Sequence, residues 1–274
     1  MALVVLCFLI PIVVLFRTSF ENYPLLGRVS PAGTANYTAG LHDAQFGASV
    51  LFTLKYAAIF TPLSVIIGYL LAVLLRARRR GVSVFRTVYF MPVVVGFATV
   101  GYTFYIMLQP GIGILSTIFS DLGLTSLEPL WLIKPGESMA WVVAMTLWKT
   151  VGLTMILYLA GMQGVSTEVY EAAMVDGAGW LTRERRIIFP LVRRTTALVL
   201  LLTVTGSLLT FDQFYVLTAG GPNDATMTAV YWIYDVGFVR YAMGYAAALA
   251  VVVLVALMIF TSAELTVLRR GDAE

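Results

Sequence analysis

Residues 166–194 read STEVYEAAMVDGAGWLTRERRIIFPLVRR and lie between two strongly apolar blocks. The stretch opens on Ser166 and Thr167, whose side-chain oxygens suit a helix N-cap. Glu168, Tyr170, Glu171, Ala172, Ala173 and Met174 follow and favour helix. Gly177 and Gly179 break that helix, because glycine enters left-handed backbone without a steric penalty. A second, shorter run, Trp180 to Ile188, carries four charges and is expected to stop at Pro190. The expectation is a short helix, a glycine turn and another short helix. A loop that merely joined two spans would not need this much local structure, although composition alone leaves a solvated connector in play.

The surrounding chain explains where such a segment sits. Of its 274 residues, 59% are hydrophobic and 12% charged, with a mean hydropathy of +0.88. Soluble domains are about half apolar and about a quarter charged, so the expectation is an all-α membrane protein. The net charge of +3 does not point to nucleic acid, because the arginines cluster where membrane topology places them. One cysteine, Cys7, rules out an intrachain disulfide, and one histidine, His42, rules out a histidine-rich zinc site. None of the three lysines, Lys55, Lys134 and Lys149, follows a glycine, so a Walker A phosphate loop is absent. If ATP drives this chain, another subunit binds it.

Six apolar blocks are expected to span. The first, residues 2–16, is short against the ~20 residues that cross a ~30 Å hydrocarbon core. It lacks the charged leader and cleavage site of a signal peptide, so it is expected to be a first helix without its cytoplasmic beginning. The others are 50–75, 88–108, 139–162, 195–217 and 244–265. Arginine and lysine set the orientation. Residues 76–86, 166–194 and the tail carry twelve (Arg76, Arg78, Arg79, Arg80 and Arg86; Arg183, Arg185, Arg186, Arg193 and Arg194; Arg269 and Arg270). The other loops carry four: Arg17, Arg28, Lys134 and Arg240. The arginine-rich side is therefore read as cytoplasmic, with six spans and both ends inside. An anionic-ligand site at Arg76–Arg80 is the less economical reading.

No nucleophile–base constellation stands out, and paired carboxylates do not occur inside the spans, which argues against a proton-coupled carrier. The spans instead carry uncharged polarity. Thr203, Ser207 and Thr210 follow i, i+4, i+7 and so share one face of the fifth span, which Asp212 and Tyr215 continue outward. Trp148, Lys149 and Thr150 stand at mid-depth in the fourth. Hydroxyls beside aromatic rings suit a neutral, hydroxyl-rich solute such as a sugar, while for any single threonine helix packing is the simpler reading.

Two motifs now converge. Glu171-Ala172-Ala173, three residues, Gly177, nine residues, Ile187, one residue and Phe189-Pro190 resembles the EAA loop of permeases in binding-protein-dependent ABC importers. The family pattern is EAA-x3-G-x9-I-x-LP, and Phe189 replaces its usual leucine. Asp176-Gly177-Ala178 is similar to the sugar-importer form. Leu217-Thr218-Ala219-Gly220-Gly221-Pro222, followed by Thr226, Thr228, Tyr231 and Tyr234, resembles the segment after the fifth span of maltose-type and glycerol-phosphate-type permeases. Departures fall at Glu184, where the family often has an aromatic, and at Arg194, where it often has proline. The resemblance implies a type I importer permease fold with no cofactor in this chain, ATP and Mg being held by a dimer of ABC ATPase subunits. It implies a second homologous permease, an extracytoplasmic solute-binding protein docked on loops 109–138 and 218–243, and a bacterial or archaeal inner-membrane location. It implies that Glu171, Ala172, Ala173, Asp176, Gly177, Ala178, Ile187 and Pro190 form the contact with the ATPase, and that the solute passes near Trp148, Thr203, Ser207 and Thr210. A self-contained secondary carrier or channel is the alternative, with the polar loop as a mere connector.

Overall fold

In a computed structural model the structure describes residues 5–24, 27–77, 81–109, 111–123 and 134–270. A π-helical turn, Val5–Leu9, leads into α1 (Ile10–Ser19). A short antiparallel ladder then pairs Glu21–Asn22 with Ser30–Pro31. α2 (Ala35–His42) leads into α3 (Ala44–Leu75). α4 (Val82–Val94), α5 (Phe97–Met107) and α6 (Ile114–Asp121) follow, then α7 (Pro135–Gln163). The polar segment at 166–194 forms α8 (Thr167–Val175) and α9 (Trp180–Leu191). The chain continues through α10 (Arg193–Leu208), α11 (Asp212–Leu217), α12 (Ala229–Val239) and α13 (Met243–Arg270).

Three helices are long and apolar enough to cross a membrane: α3, the Gly136–Gln163 part of α7 and the Met243–Glu264 part of α13. Counting the bent pairs α4–α5 and α9–α10 as one span each gives up to five among the described residues. Residues 2–4, Arg78–Arg80 and 124–133, on which parts of the sequence reading fall, lie outside the described residues.

Two expected spans are not continuous. The 88–108 block breaks after Val94 and resumes at Phe97 with a 97° bend, Val95 and Gly96 being extended. Its last turn is held from elsewhere: Lys149 Nζ donates to Val93 O at 3.2 Å and sits 4.3 Å from the Phe97 ring centre. The 195–217 block stops at Leu208 and resumes at Asp212. There the Thr228 hydroxyl donates to Thr210 O at 2.7 Å. Broken helices survive at membrane depth where side chains satisfy the freed backbone, and both donors come from remote sequence. α9 also runs one residue past Pro190. The proline falls in the first turn of a new helical segment after a π-helical turn at Glu184–Ile188, where its missing N–H costs nothing.

The core divides into two clusters. One joins Tyr56, Phe60, Val142, Met145, Phe214, Leu217 and Trp232, with the Tyr56 ring stacked on Phe60 and edge-on to Phe214. The other, nearer the α8–α9 segment, joins Tyr69, Met155, Tyr158, Leu159, Ile188, Val192 and Val199. Helix α7 is the common wall, and small residues let its neighbours approach. A Cβ on Gly68 would lie 2.3 Å from the Thr154 side chain, and one on Gly152 would lie 2.1 Å from Tyr89 O. Close backbone approach at small residues is how helices associate where lipid removes the usual hydrophobic drive.

Candidate functional site

The α8–α9 segment is built as the spacing predicts. Ser166 is the extended N-cap of α8, although its hydroxyl makes no capping hydrogen bond. At the other end Gly177 adopts φ +72°. Gly177 N–H donates to Met174 O and Ala178 N–H to Ala173 O, so two terminal carbonyls are satisfied and the chain reverses. A Cβ on Gly177 would meet nothing within 4 Å, so this chain leaves the turn open.

The motif residues split into two sets. Glu171, Ala172, Asp176, Gly177 and Pro190 are exposed. Ala173 is buried, Ala178 half-buried, and Ile187 packs on the second core cluster. Beside the exposed set lie bare apolar groups: Val175 is 87% exposed, with Met174, Trp180 and Leu181 also exposed. Phe189, in place of the usual leucine, packs its ring edge-on to Tyr69 at 5.2 Å between centres. Such a pair contributes about 0.5–1.5 kcal/mol beyond its area.

Glu184 is the one buried acid of the segment. Its carboxylate accepts from Arg76 at 2.7 and 3.2 Å and from the Tyr69 hydroxyl at 3.3 Å. Arg76 is the C-cap of α3, and its guanidinium lies 4.8 Å from the Tyr170 ring centre. Arg86 donates to Leu75 O at 2.6 and 3.0 Å. Sequence reasoning took Arg76 and Arg86 as topological charges. Their structural work depends on partners up to 108 residues away, which no local pattern announces.

On the membrane side a cavity of about 370 Å³ opens between α3, α5, α7 and the break after α10. Thr203, Ser207, Thr210 and Asp212 line it, together with Tyr56, Thr146, Thr150 and Gln213. Thr210 lies beyond the end of α10, so the break rather than helical spacing brings it in. Tyr56 Oη and Thr210 Oγ1 are buried, and the Tyr56 hydroxyl faces the polar side chains of Thr146, Gln213 and Thr210. Trp148 and Tyr215 do not line this cavity. Trp148 is half exposed against Phe104, and Tyr215 joins a ring cluster with Phe211, Tyr231 and Tyr234. Tyr56 and Thr146 were missed because each reads as an ordinary residue of an apolar helix.

The Gly220-Gly221-Pro222 stretch is a brace. Gly220 has φ +79° and the Gly221–Pro222 peptide is cis. The Thr226 hydroxyl lies 2.7 Å from Gly221 O and 2.8 Å from Thr218 Oγ1 and shares its one proton between them, while Thr53 Oγ1 accepts from Ala229 N–H. Together with the Thr228–Thr210 bond, this ties the loop to the broken helix beside the cavity. Its exposed tip is Asn223–Ala225.

Residues 61–266 match the family model for the binding-protein-dependent transport system inner membrane component. The chain belongs to this family. It is 31% identical over 244 residues to the probable ABC transporter permease protein YurN of Bacillus subtilis, covering 88% of this chain and 84% of that one. It is 34% identical over 237 residues to the sn-glycerol-3-phosphate transport system permease protein UgpA of Agrobacterium fabrum, covering 84% and 78%. In fold it is similar to a chain of a bacterial alginate ABC transporter solved with an alginate pentasaccharide-bound periplasmic protein. There the TM-score is 0.84 at 21% identity, over 97% of this chain and 90% of that one. The permease thus has the fold of an ABC importer permease, and these relatives support that reading over a self-contained carrier or channel.

Proposed function

We propose that this permease is one of two related membrane subunits that import a carbohydrate or related polyol by alternating access. It crosses the inner membrane six times with both ends in the cytoplasm, the short Leu6–Ser19 helix serving as the first crossing. A separate ABC ATPase dimer holds ATP and Mg and grips the α8–α9 segment. An extracytoplasmic binding protein delivers the solute. The ATPase supplies a bias between inward- and outward-open arrangements and does no chemistry on the solute.

The observation that carries this reading is the bare surface around the Gly177 turn: Glu171 and Gly177 exposed beside Met174, Val175, Trp180 and Leu181. Apolar side chains at a polar cytoplasmic edge mark an interface. The cavity supports the solute class. Its hydroxyl and amide groups line a partly apolar chamber, as suits a polyhydroxylated guest. The glycerol-phosphate and alginate systems among its relatives carry solutes of that kind in their names.

The test is ATP hydrolysis by the reconstituted complex with and without solute-loaded binding protein. Glu171→Ala and Gly177→Asp are expected to abolish the stimulation while the permease still inserts. Ser207→Leu, which fills the cavity, is expected to lower uptake and leave assembly intact. Full stimulation in both loop variants contradicts the reading.

A further inference from the structure

We infer that the buried Arg76–Glu184 pair is the joint that makes α3 move with the coupling segment. The inference rests on the coupling role just proposed for α8–α9 and names the route by which motion leaves it.

Four side chains from three elements meet here. Glu184 lies in the π-helical turn of α9 with its side chain only 5% exposed. Arg76 closes α3 and reaches it through both terminal nitrogens. Tyr69, two turns back along α3, donates to the same carboxylate. Tyr170 of α8 receives Arg76 on its ring face and, at 3.4 Å, on its hydroxyl. Arg183 adds a more distant charge, 3.9 Å from the carboxylate. A two-pronged guanidinium–carboxylate contact fixes orientation as well as distance. Breaking such a pair strands a buried charge, so the two helix ends are held together strongly even though the pair adds little net stability.

The consequence follows from geometry. α9 is already joined to α10 through the chain, and α10 forms one wall of the cavity with Thr203 and Ser207. α3 forms a neighbouring wall with Tyr56 and Phe60 and touches α9 through the apolar contacts of Tyr69 with Ile188 and Phe189. Tyr56 lies 20 residues from Arg76, about 30 Å along one helix. Those apolar contacts of Tyr69 are non-directional, so the charged pair is what fixes the orientation of α3 against the coupling segment. With it, both walls receive the same displacement.

The test uses the assembled complex in nanodiscs, with Cys7→Ser and pairs of spin labels. A pair at Glu168 and Val13 reports movement of the coupling segment against α1. A pair at Glu168 and Leu74 spans the joint, all three positions being exposed in the permease and none belonging to the surface proposed to meet the ATPase. Distances are read with ADP and after trapping with ATP and vanadate. In the native pair the Glu168–Val13 distance is expected to shift on trapping while Glu168–Leu74 stays constant. Glu184→Leu is expected to make the Glu168–Leu74 distance shift and broaden on trapping, and Arg76→Glu with Glu184→Arg is expected to restore constancy. Where Glu184→Leu does not assemble, Arg76→Gln, at a partly exposed position, serves the same comparison. A Glu168–Leu74 distance that behaves alike in native and variant complexes overturns the joint. A Glu168–Val13 distance that ignores trapping overturns the coupling role itself.

Discussion

At the scale of single residues, Asp43 shows how one side chain can fix several elements. It caps α3 by accepting from the N–H groups of Gln45 and Phe46, and its second oxygen accepts from Trp232 Nε1 and the Tyr245 hydroxyl. Burial pushes its carboxyl up, but these four hydrogen bonds outweigh burial and hold it below the ordinary carboxylate range. The sign is then determined. A carboxyl held low in the folded state stabilises it at neutral pH, and that stabilisation disappears in acid as pH falls through the lowered folded value. Asp43→Ala is expected to lower the thermal midpoint at pH 7, the lost cap alone costing about 1 kcal/mol, with the gap to the native chain narrowing in acid. An equal gap at pH 7 and pH 3 contradicts this. The residues of the EAA pattern were legible in the sequence because their requirements are local: Gly177 needs a left-handed turn, and Glu171 needs only exposure. Glu184 was not legible, since its partner Arg76 is distant in the chain.

At the scale of elements, the sequence located helices better than it located their breaks. Hydropathy counts apolar side chains, and Val95-Gly96 and Leu209–Phe211 sit inside runs that stay apolar. What decides the break is a donor from elsewhere, Lys149 in one case and Thr228 in the other. Lys149, expected at mid-depth of the fourth span, lies midway along α7 and is 5% exposed. It therefore holds the bend between α4 and α5. Lys149→Met is expected to cost about 1.5–3 kcal/mol in a folding assay, because it removes a charged hydrogen bond and leaves Val93 O unmatched. Lys55→Met, at an exposed site on α3, is expected to change nothing measurable. Equal effects of the two substitutions contradict the bracing role. The same logic explains the polar face read from spacing. Thr203 and Ser207 reach the cavity by helical periodicity, and Thr210 reaches it because the helix has ended.

At the scale of the whole molecule, the cavity and the α8–α9 segment lie at different levels of the same rods. α3 and α10 carry the cavity walls at one level and meet α8–α9 at the other, so a force applied at the Gly177 turn has a structural path to the solute. The membrane class and the polar segment were legible because composition and the run of charges between apolar blocks are global signals. The pairing of the walls was not, because it depends on contacts between distant helices. The central claim is that a separate ATPase covers the turn. Its most direct measurement is the labelling of Val175→Cys, in a Cys7→Ser background, by a membrane-impermeant maleimide in inverted vesicles. Val175 is bare in the permease itself, so the account predicts rapid labelling without the ATPase and strong protection when the ATPase is co-expressed. Labelling at the same rate in both would contradict it.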